Sequence, residues 1–184
     1  MKLLDQWLRQ WRLAKAAAWI PNGTRVLDIG CGDGALFRLL GNRISFGLGI
    51  DPALTAGTES GHTRLVAGPF PEAMPKAGSF DVITLLAVLE HVPREQQHPF
   101  IGACAGLLAP GGLLIITVPS PKVDALLHGL KVLRLVDGIA LEQHYGFRPE
   151  TTPSLCAAHG LRLLQHRRFQ LGLNNLFVFQ KPQP

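Results

Sequence analysis

A chain of 184 residues, 47% of them apolar, is sized for one well-buried core, so residues 1–184 are read as a single domain. Lysine and arginine number 18 against 13 aspartates and glutamates, a net charge of +5 that favours acidic partners, yet no basic cluster interleaved with aromatics marks a nucleic-acid surface. Cys31, Cys104 and Cys156 are odd in number and widely spaced, which fits reduced thiols in a cytoplasmic protein and argues against a disulfide framework.

At the amino terminus, Leu4, Trp7, Leu8, Trp11, Ala14 and Ala18 recur at helical spacing, with Arg9 and Arg12 elsewhere on the wheel, until Pro21-Asn22-Gly23 ends the pattern. The spacing predicts an amphipathic helix over 2–19, within an N-terminal element covering 1–20. Its apolar stripe is expected to pack on the domain or over a ligand cleft, with peripheral membrane contact by residues 2–19 as the alternative. Charges at Lys2, Asp5, Arg9, Arg12 and Lys15 leave no uninterrupted apolar core of the kind a signal peptide carries.

Apolar runs bounded by turn residues follow at Arg25–Ile29, Ser45–Ile50, Arg64–Ala67, Phe80–Ala87 and Leu113–Val118, and each predicts a strand. Helical segments are expected between them at Ala35–Leu40, at Pro52–Thr58, and in a longer stretch that ends near Leu108. The interval from Pro99 to Pro121 has no charged side chain, as a membrane span would, but Pro110-Gly111-Gly112 divides it into a helical half and a strand half. Beyond Pro119, Val123, Leu126, Leu127, Leu130 and Leu133 form another apolar stripe, and residues 119–150 are read as a segment over the acceptor side of a binding site. Thr152 looks like an N-cap with Pro153 at the first helical position and Gly160 as the stop. Leu161–Gln170 and Leu176–Gln180, joined through Gly172-Leu173-Asn174-Asn175, predict a closing antiparallel hairpin. Seven strands alternating with helices define an α/β class: a Rossmann-like, doubly wound, mostly parallel sheet with an antiparallel last strand and helices on both faces.

The chemistry concentrates in Val26-Leu27-Asp28-Ile29-Gly30-Cys31-Gly32-Asp33-Gly34, where a buried strand turns into a helix. Gly30 and Gly32 remove β-carbons that would collide with a nucleoside, and the following helix offers unsatisfied amides. Gly47-Leu48-Gly49-Ile50-Asp51 ends the next strand on a carboxylate able to accept both hydroxyls of a ribose; capping of a following helix is the structural alternative for Asp51.

These blocks, together with SFDVITLLAVLEHV at 79–92 and LLAPGGLLIITVP at 107–119, resemble the class I S-adenosylmethionine-dependent methyltransferases, in particular the ubiquinone-biosynthesis-like and related small-molecule methyltransferase families. The resemblance covers roughly residues 23–118. It implies that Asp28, Gly30, Cys31 and Gly32 surround the methionine part of S-adenosylmethionine, that Asp51 holds the ribose with Pro52 beside the adenine, and that Ala87 offers its carbonyl to the cofactor amino group. Gly68-Pro69-Phe70 stands where relatives often carry Gly-Asp; with proline in place of that aspartate, adenine recognition falls to apolar packing and backbone at Phe70. S-adenosylhomocysteine is the implied product, and no metal is implied.

Methyl transfer needs an acceptor held in line with the sulfonium methyl, and a base only where the acceptor carries a proton. His91, in Glu90-His91 after the fourth strand, and His144, in the segment over the acceptor pocket, are the candidate bases; helix capping is the structural alternative for Glu90-His91. A nicotinamide-dependent dehydrogenase is the main rival, because Gly30-x-Gly32-x-x-Ala35 satisfies that fingerprint, but Asp28 and the carboxyl-terminal hairpin fit the methyltransferase. A cofactor-binding module without catalysis and an RNA methyltransferase are further alternatives; for the latter, Leu89-Glu90-His91-Val92 stands where a base-acceptor motif would follow the fourth strand. The acceptor expected from this reading is a small, partly apolar molecule.

Overall fold

The computed structural model describes residues 3–120 and 147–183. The elements, in chain order, are α1 (Leu3–Ala17), β1 (Arg25–Ile29), α2 (Ala35–Leu40), β2 (Phe46–Asp51), β3 (Thr58–Ser60), β4 (Thr63–Ala67), β5 (Phe80–Leu86), α3 (Gln97–Leu107), β6 (Leu108–Pro119), α4 (Thr152–Ala157), β7 (Arg162–Phe169) and β8 (Asn174–Gln180). They form one sheet in the order β3-β4-β2-β1-β5-β6-β8-β7. β4, β2, β1, β5 and β6 run parallel, and β8 is inserted antiparallel between β6 and β7. The sheet has eight strands where seven were expected. The extra one, β3, pairs antiparallel with β4 in the stretch Pro52–Thr58 and its continuation, where a helix was predicted; residues 52–57 form turns instead. Nearly every side chain there is exposed, so no buried face exists to hold a helix.

Both faces of the sheet are covered. Leu27, Leu48, Ile83, Leu85 and Phe177 pack with Ile101 and Cys104 of α3 and Leu155 and Cys156 of α4 on one side. On the other, Val26, Val82, Ile115 and Val178 pack with Leu13 and Ala16 of α1 and Leu36 and Phe37 of α2. Strands buried on both faces read as continuous apolar runs, which is why β1, β2 and β5 stand out in the sequence. The helical half ends at Leu107, near the expected Leu108, but Pro110-Gly111-Gly112 does not mark that junction: it lies inside β6. The register jumps from Phe80–Leu108 to Val82–Leu113, so the triplet bulges out of the ladder.

Two further expectations are corrected. Thr152 does not cap its helix: it is the first residue of α4, it is buried, and its hydroxyl has no hydrogen-bond partner among the described residues. A single 3-10 turn at Pro149–Thr151 leads the chain in, and Thr151 Oγ1 donates to the Arg148 carbonyl at 2.8 Å. The α1 stripe is also rotated from the expected one, with its Leu8 and Trp11 half-buried, Trp11 against Phe169. Arg9, Arg12, Leu13, Ala16 and Ala17 turn towards the domain, while Trp7, Ala14 and Ala18 are exposed. The segment 119–150, with its apolar stripe and His144, lies outside the described residues from 121 to 146.

Candidate functional site

Where strand order reverses, between β1 and β5, an open parallel sheet leaves a crevice at its carboxyl edge. Asp28 and Thr84 are register partners there, and Thr84 Oγ1 donates to Asp28 Oδ1 at 2.6 Å. Burial, opposed by this hydrogen bond and aided by the negative charge of Asp51, pushes the Asp28 carboxyl up to about 7. Immediately beyond, Gly30 takes φ 76° and Gly32 φ 54°. A β-carbon at Gly30 would lie 2.4 Å from Val88 Cγ2, so both the conformation and the close approach demand glycine.

The bend and the acidic strand end converge. Gly30 N–H donates to the Ile50 carbonyl at 2.8 Å, and Gly32 N–H donates to Asp51 Oδ2 at 2.7 Å. Asp51 Oδ1 accepts from Ala53 N–H at 2.8 Å, a turn closure rather than a helix cap. Each carboxylate oxygen keeps a second lone pair for an incoming hydroxyl. Gly68 N–H donates to the Asp51 carbonyl at 3.1 Å, which brings the Gly68-Pro69-Phe70 segment against the same strand end. The ring of Phe70 itself is buried edge-on to Phe100, with centroids 5.1 Å apart, while Pro52 is exposed.

A cavity of about 210 Å³ opens beside the bend, lined by Arg9, Arg12, Leu13, Asp28, Gly30, Cys31 and Leu86. Arg9 and Arg12 come from α1, which packs across this end of the sheet against α2, β5 and β6. Arg9 pairs with Asp33, and Nη2 of Arg9 lies 3.4 Å from where a Gly32 β-carbon would sit. The Nε of Arg12 and the Oε2 of Glu90 are buried without hydrogen-bond partners among the described residues. Burial raises the Glu90 carboxyl to about 7, against the opposing pull of Arg12. Cys31 is also held protonated, its thiol pushed up to about 12 by burial and by Asp28 and Asp51, so it serves as wall and not as nucleophile.

Ala87 is half-buried, with φ 62°, and its N–H donates to the Thr117 carbonyl at 3.0 Å. A left-handed non-glycine residue at the end of a central strand is strained, and such strain concentrates at binding sites. Next to it, a single 3-10 turn over Leu89–His91 points Glu90 inward and leaves His91 exposed. The structure thus brings Asp28, Gly30 and Cys31 to the cavity wall, with Gly32 and Asp51 bonded to each other beside it, while Phe70 is buried against Phe100 and Pro52 and His91 are exposed. Sequence reading missed Arg9 and Arg12 as cavity residues and Glu90 as the buried member of its pair; two arginines three apart, opposite an apolar stripe, were the available signal. Among the described residues no group of three or more His, Cys, Asp or Glu side chains could hold a metal ion, and no helix is long and apolar enough to cross a membrane.

An acid at the end of β1, a glycine bend, and a second acid at the end of β2 within a sheet of this topology define a nucleoside-binding methyltransferase. The chain belongs to the class I S-adenosylmethionine-dependent methyltransferases: residues 5–166 match the model of the methyltransferase domain family. Among its relatives are the ubiquinone biosynthesis O-methyltransferases of Nitrosococcus oceani, 33% identical over 77% of this chain, and of Bordetella avium, 35% identical over 62%. The chain spans 64% and 52% of the length of these two proteins. The fold is shared with the magnesium protoporphyrin IX methyltransferase of Synechocystis with bound S-adenosylhomocysteine, at TM-score 0.68, 19% identity, and coverage of 94% of this chain and 83% of the other. It is shared too with the N-methyltransferase NodS of Bradyrhizobium japonicum in complex with S-adenosylhomocysteine, at TM-score 0.65, 18% identity, and coverage of 99% and 89%.

Proposed function

We propose that this chain transfers the methyl group of S-adenosylmethionine to a small, partly apolar acceptor in the cytoplasm, with S-adenosylhomocysteine as the second product. The observation that carries the reading is the bond from Gly32 N–H to Asp51 Oδ2, which brings the glycine bend and the acidic strand end to one place. The residues fit the cofactor. Arg12, with its orphaned buried Nε, and Arg9 stand over the cavity where a carboxylate needs cations, and Asp28 opposes them where an ammonium needs an anion. Asp51 would supply the acceptors for ribose hydroxyls, the Pro52 and Phe70 segments would flank the adenine, and the carbonyl of Ala87 would meet the cofactor amino group.

When bound, S-adenosylmethionine supplies an electrophilic methyl carbon whose sulfur leaves as a neutral thioether. An acceptor that carries a proton would have to lose it to a group of this chain. The chain's task is alignment and exclusion of water, with α1 closing one side of the cavity. His91 and His144 are the proposed recipients of the acceptor's proton. The O-methyltransferases of ubiquinone biosynthesis support a small, partly apolar acceptor, and the leucines of 119–150 suit one.

Calorimetric titration of the wild type and Asp51→Ala with S-adenosylmethionine and S-adenosylhomocysteine tests the reading. Micromolar binding that weakens at least tenfold in the variant is expected; equal silence in both proteins overturns it.

A further inference from the structure

Along α1 the residues Trp7, Ala14 and Ala18 form an exposed apolar strip flanked by the half-buried Trp11. Trp7 is 57% exposed and its ring lies 4.9 Å from that of Trp11, while Ala14 and Ala18 continue the same face outward. Beside it stands the β7–β8 turn. Trp11 meets Phe169 edge-on with centroids 6.4 Å apart, and Gln170 Nε2 donates to the Leu8 carbonyl at 2.7 Å, fixing helix and turn to each other. At the tip of that turn Leu171 is 97% exposed and holds φ 57°, a position where glycine or asparagine would be easier. Neither feature benefits the isolated fold: a solvent-exposed leucine in a left-handed conformation adds strain without burial. Lys15 on the helix is exposed, and so is Arg167, which lies two residues before Phe169 in β7 and therefore shares its sheet face.

We propose that the outer face of α1 and the β7–β8 turn form a docking surface for an anionic lipid bilayer. Paired indoles and an extended leucine suit the boundary between headgroups and acyl chains, where one end of the side chain is apolar and the other wet. The basic residues around them complement anionic headgroups, and the chain's net charge of +5 acts in the same direction. A helix of 15 residues lies in the plane of such a surface and does not cross it. The opposite side of the same helix carries Arg9 and Arg12 over the cavity, so the docked protein would hold its site close to the bilayer. The inference stands independently of the methyl-transfer reading.

The test is co-sedimentation of the full chain with phosphatidylcholine vesicles, with and without phosphatidylglycerol, read alongside tryptophan emission. Binding to the anionic vesicles, a blue shift, and release at high salt are expected. Trp7→Ala with Leu171→Asp should reduce partitioning at least tenfold while leaving the melting temperature and S-adenosylhomocysteine binding in place, because neither side chain is buried or lines the cavity. Lys15→Gln with Arg167→Gln should weaken it by about fivefold per charge. A wild type that stays in the supernatant, or a Trp7/Leu171 variant that binds as the wild type does, overturns the proposal. So does a wild-type dimer in sedimentation equilibrium that Trp7→Ala dissociates, which would assign the face to a second copy of the chain.

Discussion

Thr84 Oγ1 reaches Asp28 Oδ1 at 2.6 Å across the β1–β5 junction, so a buried acid in the sheet interior is satisfied by a hydroxyl from its own register partner. The bond offsets only part of the desolvation that raises Asp28 to about 7 from an ordinary 3.8. Folding thus favours the protonated carboxyl. The stabilisation this provides is complete below pH about 4 and is lost as pH rises through 7. Asp28→Asn, neutral and similar in shape, should flatten the fall in melting temperature between pH 5 and 8 and raise stability at pH 8 by on the order of 2–4 kcal/mol. Thermal melts of both proteins across that range check it, and parallel curves would contradict the raised pKa of Asp28.

The same acid links ligand binding to protons. An ammonium seated against Asp28 favours the ionised carboxyl, so binding of S-adenosylhomocysteine at pH 6 should release up to about one proton, fading towards pH 8. The dependence of calorimetric heat on buffer ionisation enthalpy measures the number released. No buffer dependence at pH 6 would separate Asp28 from the ammonium.

Arg9 and Arg12 face the cavity in place of the apolar stripe. Arg9→Ala should weaken S-adenosylhomocysteine binding by about 10–100-fold, the range of a lost charge-assisted hydrogen bond, and leave 5′-methylthioadenosine, which has no carboxylate, within about twofold. Equal losses for both ligands would mean that the arginine shapes the wall and does not read the carboxylate.

Gly30→Ala places a methyl 2.4 Å from Val88 Cγ2 at φ 76°. A cost of at least about 1–2 kcal/mol is expected from the conformation alone, with more from the clash. Val88→Ala in the same chain should recover the clash but not the conformational part, as urea denaturation of the single and double variants would show. Ala87→Gly is the converse case: φ 62° becomes easy, and stability should hold or rise by about 0.5–1 kcal/mol.

Which parts were legible follows from where the information resides. β1, β2 and β5 are buried on both faces and flanked by turn residues, so apolar runs mark them, and the glycine bend announces itself through Gly30 and Gly32. Asp28, Asp51 and the reversed β8 were also legible, through motif order and a hairpin turn. β3 escaped because three exposed residues carry no hydrophobic pattern. The α1 stripe misled because periodicity identifies an apolar face without saying what lies opposite it. Arg9 and Arg12 turn inward towards Asp33, Glu90 and Asp28, partners that no local spacing reveals. Glu90 and His91 are neighbours, and only the 3-10 turn decides which of them is buried.

Because Arg9, Arg12 and Leu13 of α1 wall one side of the cavity, docking of that helix and occupancy of the site share a single set of contacts. Bulky tags fused ahead of Leu3, or antibodies raised against α1, would consequently report on ligand traffic although they touch none of the sheet. Anything that pries the helix away unroofs the glycine bend.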